Sequence, residues 1–217
     1  KISEDLRIDK RIKEVFGMLE VDLVMTEHAN REEMMAFEET EEAMLGKSIM
    51  DQINNAPHYK ELVPSDGLST TVKEFVSDPD GNTIKIQYIR PDTDEILPCV
   101  YYIHGGGMEI SSCFDELYQA WGRCIAGQNV AVAMVDFRNA RWASSAEEVA
   151  PYPAGLNDCV SGIKWIHTNS TDLNINPEKI IIAGESGGGN LTITTTLRLK
   201  QEGQLDLITG MYPICPY

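Results

Sequence analysis

Lys179-Ile180-Ile181-Ile182-Ala183-Gly184-Glu185-Ser186-Gly187-Gly188-Gly189-Asn190 contains, in twelve residues, an apolar run, a glycine-flanked serine and the start of a helix. The run 179–183 lacks the polar alternation of a half-exposed strand, so it reads as a strand covered on both faces. A helix is expected over 187–200, although the threonines at 192 and 194–196 give it modest propensity. A strand that passes straight into a helix brings the two backbones close together. Gly184 and Gly188 supply the missing side chains at that crossing. Gly184-Glu185-Ser186-Gly187-Gly188 matches G-x-S-x-G in the strand–turn–helix context that makes the pentapeptide a nucleophile elbow. Ser186 is therefore the expected nucleophile, held in strained backbone geometry beside a helix N-terminus that favours negative charge.

Upstream, strands alternate with helices. Residues 72–76 and 83–89 read as a strand pair around the turn Asp78-Pro79-Asp80-Gly81. Residues 98–103 and 130–135 read as apolar strands, 116–127 and 154–168 as helices, and 207–211 as a last short strand. The 154–168 helix carries Leu156, Val160, Ile163 and Ile166 on one side. This order predicts an α/β fold with a mainly parallel central sheet flanked by helices.

Residues 1–60 differ from the rest. They hold 13 acidic residues by position 50 and six of the nine methionines: Met18, Met25, Met34, Met35, Met44 and Met50. Ile8, Ile12, Val15, Leu19 and Leu23, then Met34, Phe37 and Met44, recur at helical spacing, which predicts two or three amphipathic helices. Pro64, Asp66 and Gly67 mark a break. The expected organisation is a helical cap segment over 1–60 and an α/β core over 61–217. A methionine-rich face suits either plain docking onto that core or an adaptable cover over an apolar pocket.

His104-Gly105-Gly106-Gly107 closes the strand 98–103, about 80 residues before the elbow. Acyl transfer requires donors for the oxyanion of a tetrahedral intermediate, and glycines let backbone N–H groups approach it closely. Three glycines alone indicate only a flexible loop; paired with the elbow at this spacing they indicate an oxyanion hole.

Together these motifs resemble the hormone-sensitive-lipase family of bacterial serine esterases, with its H-G-G-G and G-D-S-A-G-G-N signatures. Asp136-Phe137-Arg138-Asn139-Ala140 is similar to the family's D-Y-R-L-A, Tyr152-Pro153-Ala154-Gly155-Leu156-Asn157-Asp158 to its F-P-A-A-L-x-D, and Met211-Tyr212-Pro213 to its L-Y-P. The resemblance spans about residues 70–217. It implies the α/β-hydrolase fold and hydrolysis of small, apolar, short- to medium-chain carboxylic esters through an acyl-enzyme, with no metal or organic cofactor. Carried over, Ser186 is the nucleophile, and Gly106, Gly107 and Gly187 donate the oxyanion-hole N–H groups. His104 corresponds to a loop-organising residue, and Asp136, Arg138 and Asp158 to structural charges. Glu185 replaces the family's Asp, Gly187 its Ala, and Met108 stands where an aromatic is common; the first two exchanges are expected to preserve the backbone chemistry.

A serine esterase also needs a base and an orienting acid, which in this fold follow the serine. The 31 residues after Ser186 contain Glu202 and Asp206 but no histidine; His28, His58, His104 and His167 all precede it. The C-terminal part of the fold is thus expected to be absent from this chain. The acid and base are expected from a second polypeptide or a C-terminal fragment. The competing expectation is a binding or inactive protein on a hydrolase scaffold, as the plant gibberellin receptors resemble this family without the catalytic histidine.

Composition bounds the partners. A net charge of -16 disfavours nucleic acid and anionic lipid. No apolar run approaches the roughly 18 residues of a membrane span. Residues 1–5 show no signal-peptide h-region. Five cysteines, Cys99, Cys113, Cys124, Cys159 and Cys215, with no C-x-x-C, argue against a disulfide framework and a zinc site, and for the cytoplasm.

Overall fold

The computed structural model describes residues 4–16 and 27–217. Its elements are α1 (Lys10–Phe16), α2 (Arg31–Phe37), α3 (Glu41–Asn54), α4 (His58–Leu62), β1 (Leu68–Val76), β2 (Thr83–Pro91), β3 (Leu97–Ile103), α5 (Glu116–Ala126), β4 (Ala131–Val135), α6 (Ala154–Thr168), β5 (Ile175–Glu185), α7 (Gly187–Gln201) and β6 (Gly210–Ile214). Two compact units result, Lys1–Met44 and Leu45–Tyr217.

In the first unit, Asn30 caps α2: its side chain accepts from Glu33 N at 3.0 Å, while Glu33 Oε2 accepts from Ala29 N. Asn30 thus satisfies one donor that the helix start leaves open, and Glu33 holds the residue just before the cap. Met18, Leu19, Leu23 and Met25, named above for their spacing, lie outside the described residues, as does the side chain of Val15.

The second unit is built on a six-stranded sheet of order β1-β2-β4-β3-β5-β6. β1, β2 and β4 pair antiparallel, and β4, β3, β5 and β6 run parallel. Successive side chains of a strand point to opposite faces, and in the central strands β3 and β4 residues on both faces are buried. Tyr101, Ile103, Ala131, Ala133, Val135, Ile180 and Ile182 join Leu156, Ile163, Ile166, Leu191 and Leu199 of α6 and α7 in one cluster. Tyr102, Val132, Met134 and Ala183 join Tyr118 and Ala126 of α5 in another. Double coverage is why 131–135 is apolar throughout. The reading of 179–183 as covered on both faces is corrected, since Lys179 and Ile181 are exposed and only Ile180, Ile182 and Ala183 are buried.

The reading of the last strand is also corrected. The 207–211 segment is not the last strand: Leu205–Leu207 forms a 3₁₀ turn, and the strand is Gly210–Ile214. Leu207 and Ile208 pack against the core from that turn. Parallel pairing with β5 begins only at Ile181↔Gly210. The apolar residues in this segment report burial in a turn as well as in a strand.

Candidate active site

Ser186 sits between the end of β5 and the first residue of α7 at φ 54°, ψ -120°. A positive φ at a non-glycine residue costs energy and persists only where its surroundings impose it. Ser186 N donates to Ile214 O at 2.9 Å, tying the elbow to β6, and Asn190 N donates back to Ser186 O at 3.0 Å. A Cβ at Gly184 would lie 2.5 Å from Ile103 O and 2.6 Å from Gly188 O, and one at Gly188 would collide with Ile103 O. Both glycines are thus required by the crossing of β5, α7 and the end of β3.

The glycine loop follows β3. Gly106, Gly107 and Met108 all have left-handed φ, at 94°, 66° and 65°. The loop folds back through Glu109 N and Ile110 N, which both donate to Gly106 O. Among the described residues, no acceptor pairs with the backbone N–H of Gly106, Gly107 or Gly187. Loop and elbow touch: a Cβ at Gly187 would lie 2.7 Å from Met108 N and 2.8 Å from Gly107 N. Open N–H groups beside a strained serine are what oxyanion stabilisation needs.

The charges around the loop form a buried framework. His104 is fully buried, with Nδ1 2.8 Å from Gly105 O and its ring stacked on Phe137 at 4.3 Å. Its Nε2 lies 3.8 Å from Asp136 Oδ1, too far for a good hydrogen bond. Asp136 accepts instead from Ser112 Oγ, Cys113 N and Ser145 N at 2.7 to 2.8 Å, fastening the two segments beside the sheet. Arg138 grips Asp158 bidentately, Nε to Oδ2 at 2.9 Å and Nη2 to Oδ1 at 3.0 Å, and also reaches Asp80 at 2.7 Å. Burial works against the Arg138 charge, but the carboxylates of Asp158, Asp80 and Glu148 outweigh it and hold the guanidinium above its ordinary pKa. None of these groups reaches Ser186.

Several residues of this scaffold carry no sequence signal. Asn54 Nδ2 reaches Ser111 Oγ and Asp115 Oδ2 at 3.4 and 3.3 Å. Asn55 Oδ1 accepts from Glu116 N, the first N–H of α5. Ala140, Arg141 and Trp142 donate their N–H groups to Met108 O and Glu109 O. Tyr102 and Tyr118 donate their hydroxyls to Glu185. All are pairings across 30 residues or more, which no local pattern encodes.

Beside the glycine loop, Gly107, Met108, Leu156, Asn190, Leu191 and Thr194 line a cavity of about 340 Å³. No base is at hand. His104 is committed to Gly105 O, His58 begins α4, and His167 lies in the last turn of α6. Among the described residues, no group of three or more His, Cys, Asp or Glu side chains is placed to hold a metal ion.

Known proteins share this arrangement. A family model described as alpha/beta hydrolase fold matches residues 100–217. Carboxylesterase NlhH of Mycobacterium tuberculosis is 32% identical over 121 residues, 56% of this chain and 35% of its own length. Hormone-sensitive lipase of Mus musculus is 32% identical over 166 residues, 73% of this chain and 21% of its own. The solved structure of a mutant of the esterase Est22 superposes over 100% of this chain at a TM-score of 0.93 and 54% identity. That match covers 63% of the esterase. The chain thus spans less than two thirds of each of them.

Proposed function

The chain belongs to the alpha/beta hydrolase fold family, in its hormone-sensitive-lipase branch, and from that premise we propose that it is the nucleophile-bearing part of a carboxylic ester hydrolase. The reading rests on one observation above the rest. Ser186 is held at positive φ between β5 and α7, with the unpaired N–H groups of Gly107 and Gly187 beside it.

In the proposed reaction a histidine takes the Ser186 hydroxyl proton as Oγ attacks the ester carbonyl carbon. The carbonyl oxygen becomes an oxyanion, held by the N–H groups of Gly106, Gly107 and Gly187 and by the positive end of α7. The intermediate collapses, the alcohol leaves with the proton from the histidine, and water hydrolyses the acyl-enzyme by the same route. The histidine and its acid come from outside these 217 residues, on a C-terminal segment or a second polypeptide. The apolar cavity beside Met108 and Leu156 suits small esters with short to medium acyl chains. Residues 1–60 are read as the N-terminal cap segment, and 61–217 as the α/β core that carries the site. Among the described residues no helix is long and apolar enough to cross a membrane. The five free cysteines fit a reducing cytoplasm.

The test is Ser186→Ala in the full-length protein, assayed on a short-chain p-nitrophenyl ester. Turnover is expected to fall by at least about 10³-fold with folding intact. Retained turnover would refute the assignment.

A further inference from the structure

The half-buried Glu185 carboxylate, on the elbow, touches the glycine loop and the helix that follows it, and among the described residues no cation pairs with it. Its Oε1 accepts from Tyr118 Oη at 3.0 Å and its Oε2 from Tyr102 Oη at 3.1 Å. Those donors have particular places in the chain. Tyr102 is two residues before His104, where β3 ends and the glycine loop begins; Tyr118 is in the first turn of α5, where the connection from that loop ends. Glu185 itself is the residue before Ser186. One side chain on the elbow thus holds both ends of the segment that carries the oxyanion donors. The loop also rests on it: a Cβ at Gly105 would collide with Glu185 Oε1 and lie 2.9 Å from its Cδ. Among the described residues no lysine or arginine pairs with Glu185, so its charge is held by two neutral phenols whose O–H groups point at it. Burial, and then the Glu185 charge, push both tyrosines above their ordinary pKa, so they remain donors throughout the working pH range.

We propose that Glu185 is a positioning residue, whose carboxylate, gripped by Tyr102 and Tyr118 and seated under Gly105, sets how the glycine loop stands against Ser186. The inference rests on Ser186 being an esterase nucleophile. It acts on the transition state: an oxyanion donor displaced by a fraction of an ångström binds ground-state ester much as before but stabilises the tetrahedral intermediate less. It also explains why position 105 is glycine although its φ is not left-handed. The space beneath it is filled by the Glu185 carboxylate.

The experiment is a double-mutant cycle between Gly105→Ala and Glu185→Ala in the full-length protein, with kcat and KM measured on a short-chain p-nitrophenyl ester. Glu185→Ala is expected to lower kcat by about 10- to 100-fold with KM changed less than about threefold. Glu185→Gln keeps the shape and one acceptor oxygen, so it should recover part of that loss. Gly105→Ala alone should be similarly impaired. The double variant should be at least about tenfold more active than the product of the two single effects, because removing the carboxylate frees the space the new methyl needs. Multiplying effects, or a Glu185→Ala change felt in KM alone, would overturn the proposal. If Glu185→Ala fails to fold by circular dichroism, Tyr118→Phe decides: a several-fold loss of kcat at unchanged KM supports the proposal, and unchanged kcat overturns it. Ser186→Ala run alongside separates the two claims. If it is inactive while the cycle is additive, only the role of Glu185 falls; if it is active, the esterase reading falls as well.

Discussion

Position 187 is where an expectation from resemblance meets the geometry. The family's alanine there suggests a harmless exchange, yet a Cβ on Gly187 would come within 2.8 Å of the backbone of Gly107 and Met108. Backbone atoms cannot rotate aside as a flexible side chain would. In this chain the glycine permits the close approach of loop and elbow, and Met108, at φ 65°, sits at the contact. Gly187→Ala is therefore expected to push the loop away from Ser186 and lower kcat by about tenfold or more in the full-length protein. Equal kcat for the two proteins would mean that the loop has slack. Ser186, Gly184 and Gly188 were legible in the sequence because their spacing and their strand–helix context are local. The consequence of Gly187 was not, because it depends on a loop 80 residues away.

The elements show the same division. The buried strands and the helices α5, α6 and α7 follow from apolar runs and helical periodicity, and their ends fall within a few residues of the sequence reading. The last strand does not, since Leu207 and Ile208 are apolar for burial in a turn. How α5 begins was also hidden. Asp115 stands at its N-cap but bonds Ser112 N and leaves the first helical N–H to Asn55, from the end of α3. That bond joins a segment before the sheet to the helix that follows the glycine loop. Asn55→Ala should cost about 1 kcal/mol, the usual value of a lost cap. The loss should appear as faster amide hydrogen exchange in residues 116–119, with the strands unchanged. Unchanged exchange there would remove Asn55 from the account of α5.

For the molecule as a whole, the sheet separates two apolar layers, and the cysteines sample both. Burial pushes the Cys99 thiol up to about 12 and raises Cys113 and Cys159 as well, whereas Cys124 and Cys215 are exposed. Thiolate is the reactive form, so iodoacetamide at pH 8 should label Cys124 and Cys215 and spare the other three until denaturant is added. Rapid labelling of Cys99 in native protein would contradict the double-sided burial of β3. The core is legible in sequence because burial demands apolar residues. The proposed catalytic constellation is legible only as far as Ser186 and the glycine loop, because no histidine follows Ser186 in these 217 residues. Whether Ser186 is an activated nucleophile is decided by labelling the full-length protein with a fluorophosphonate. One label per active site is expected, on the peptide carrying Ser186, with matching loss of esterase activity. An unlabelled Ser186, or a label on another residue with the same loss of activity, would contradict that role for Ser186.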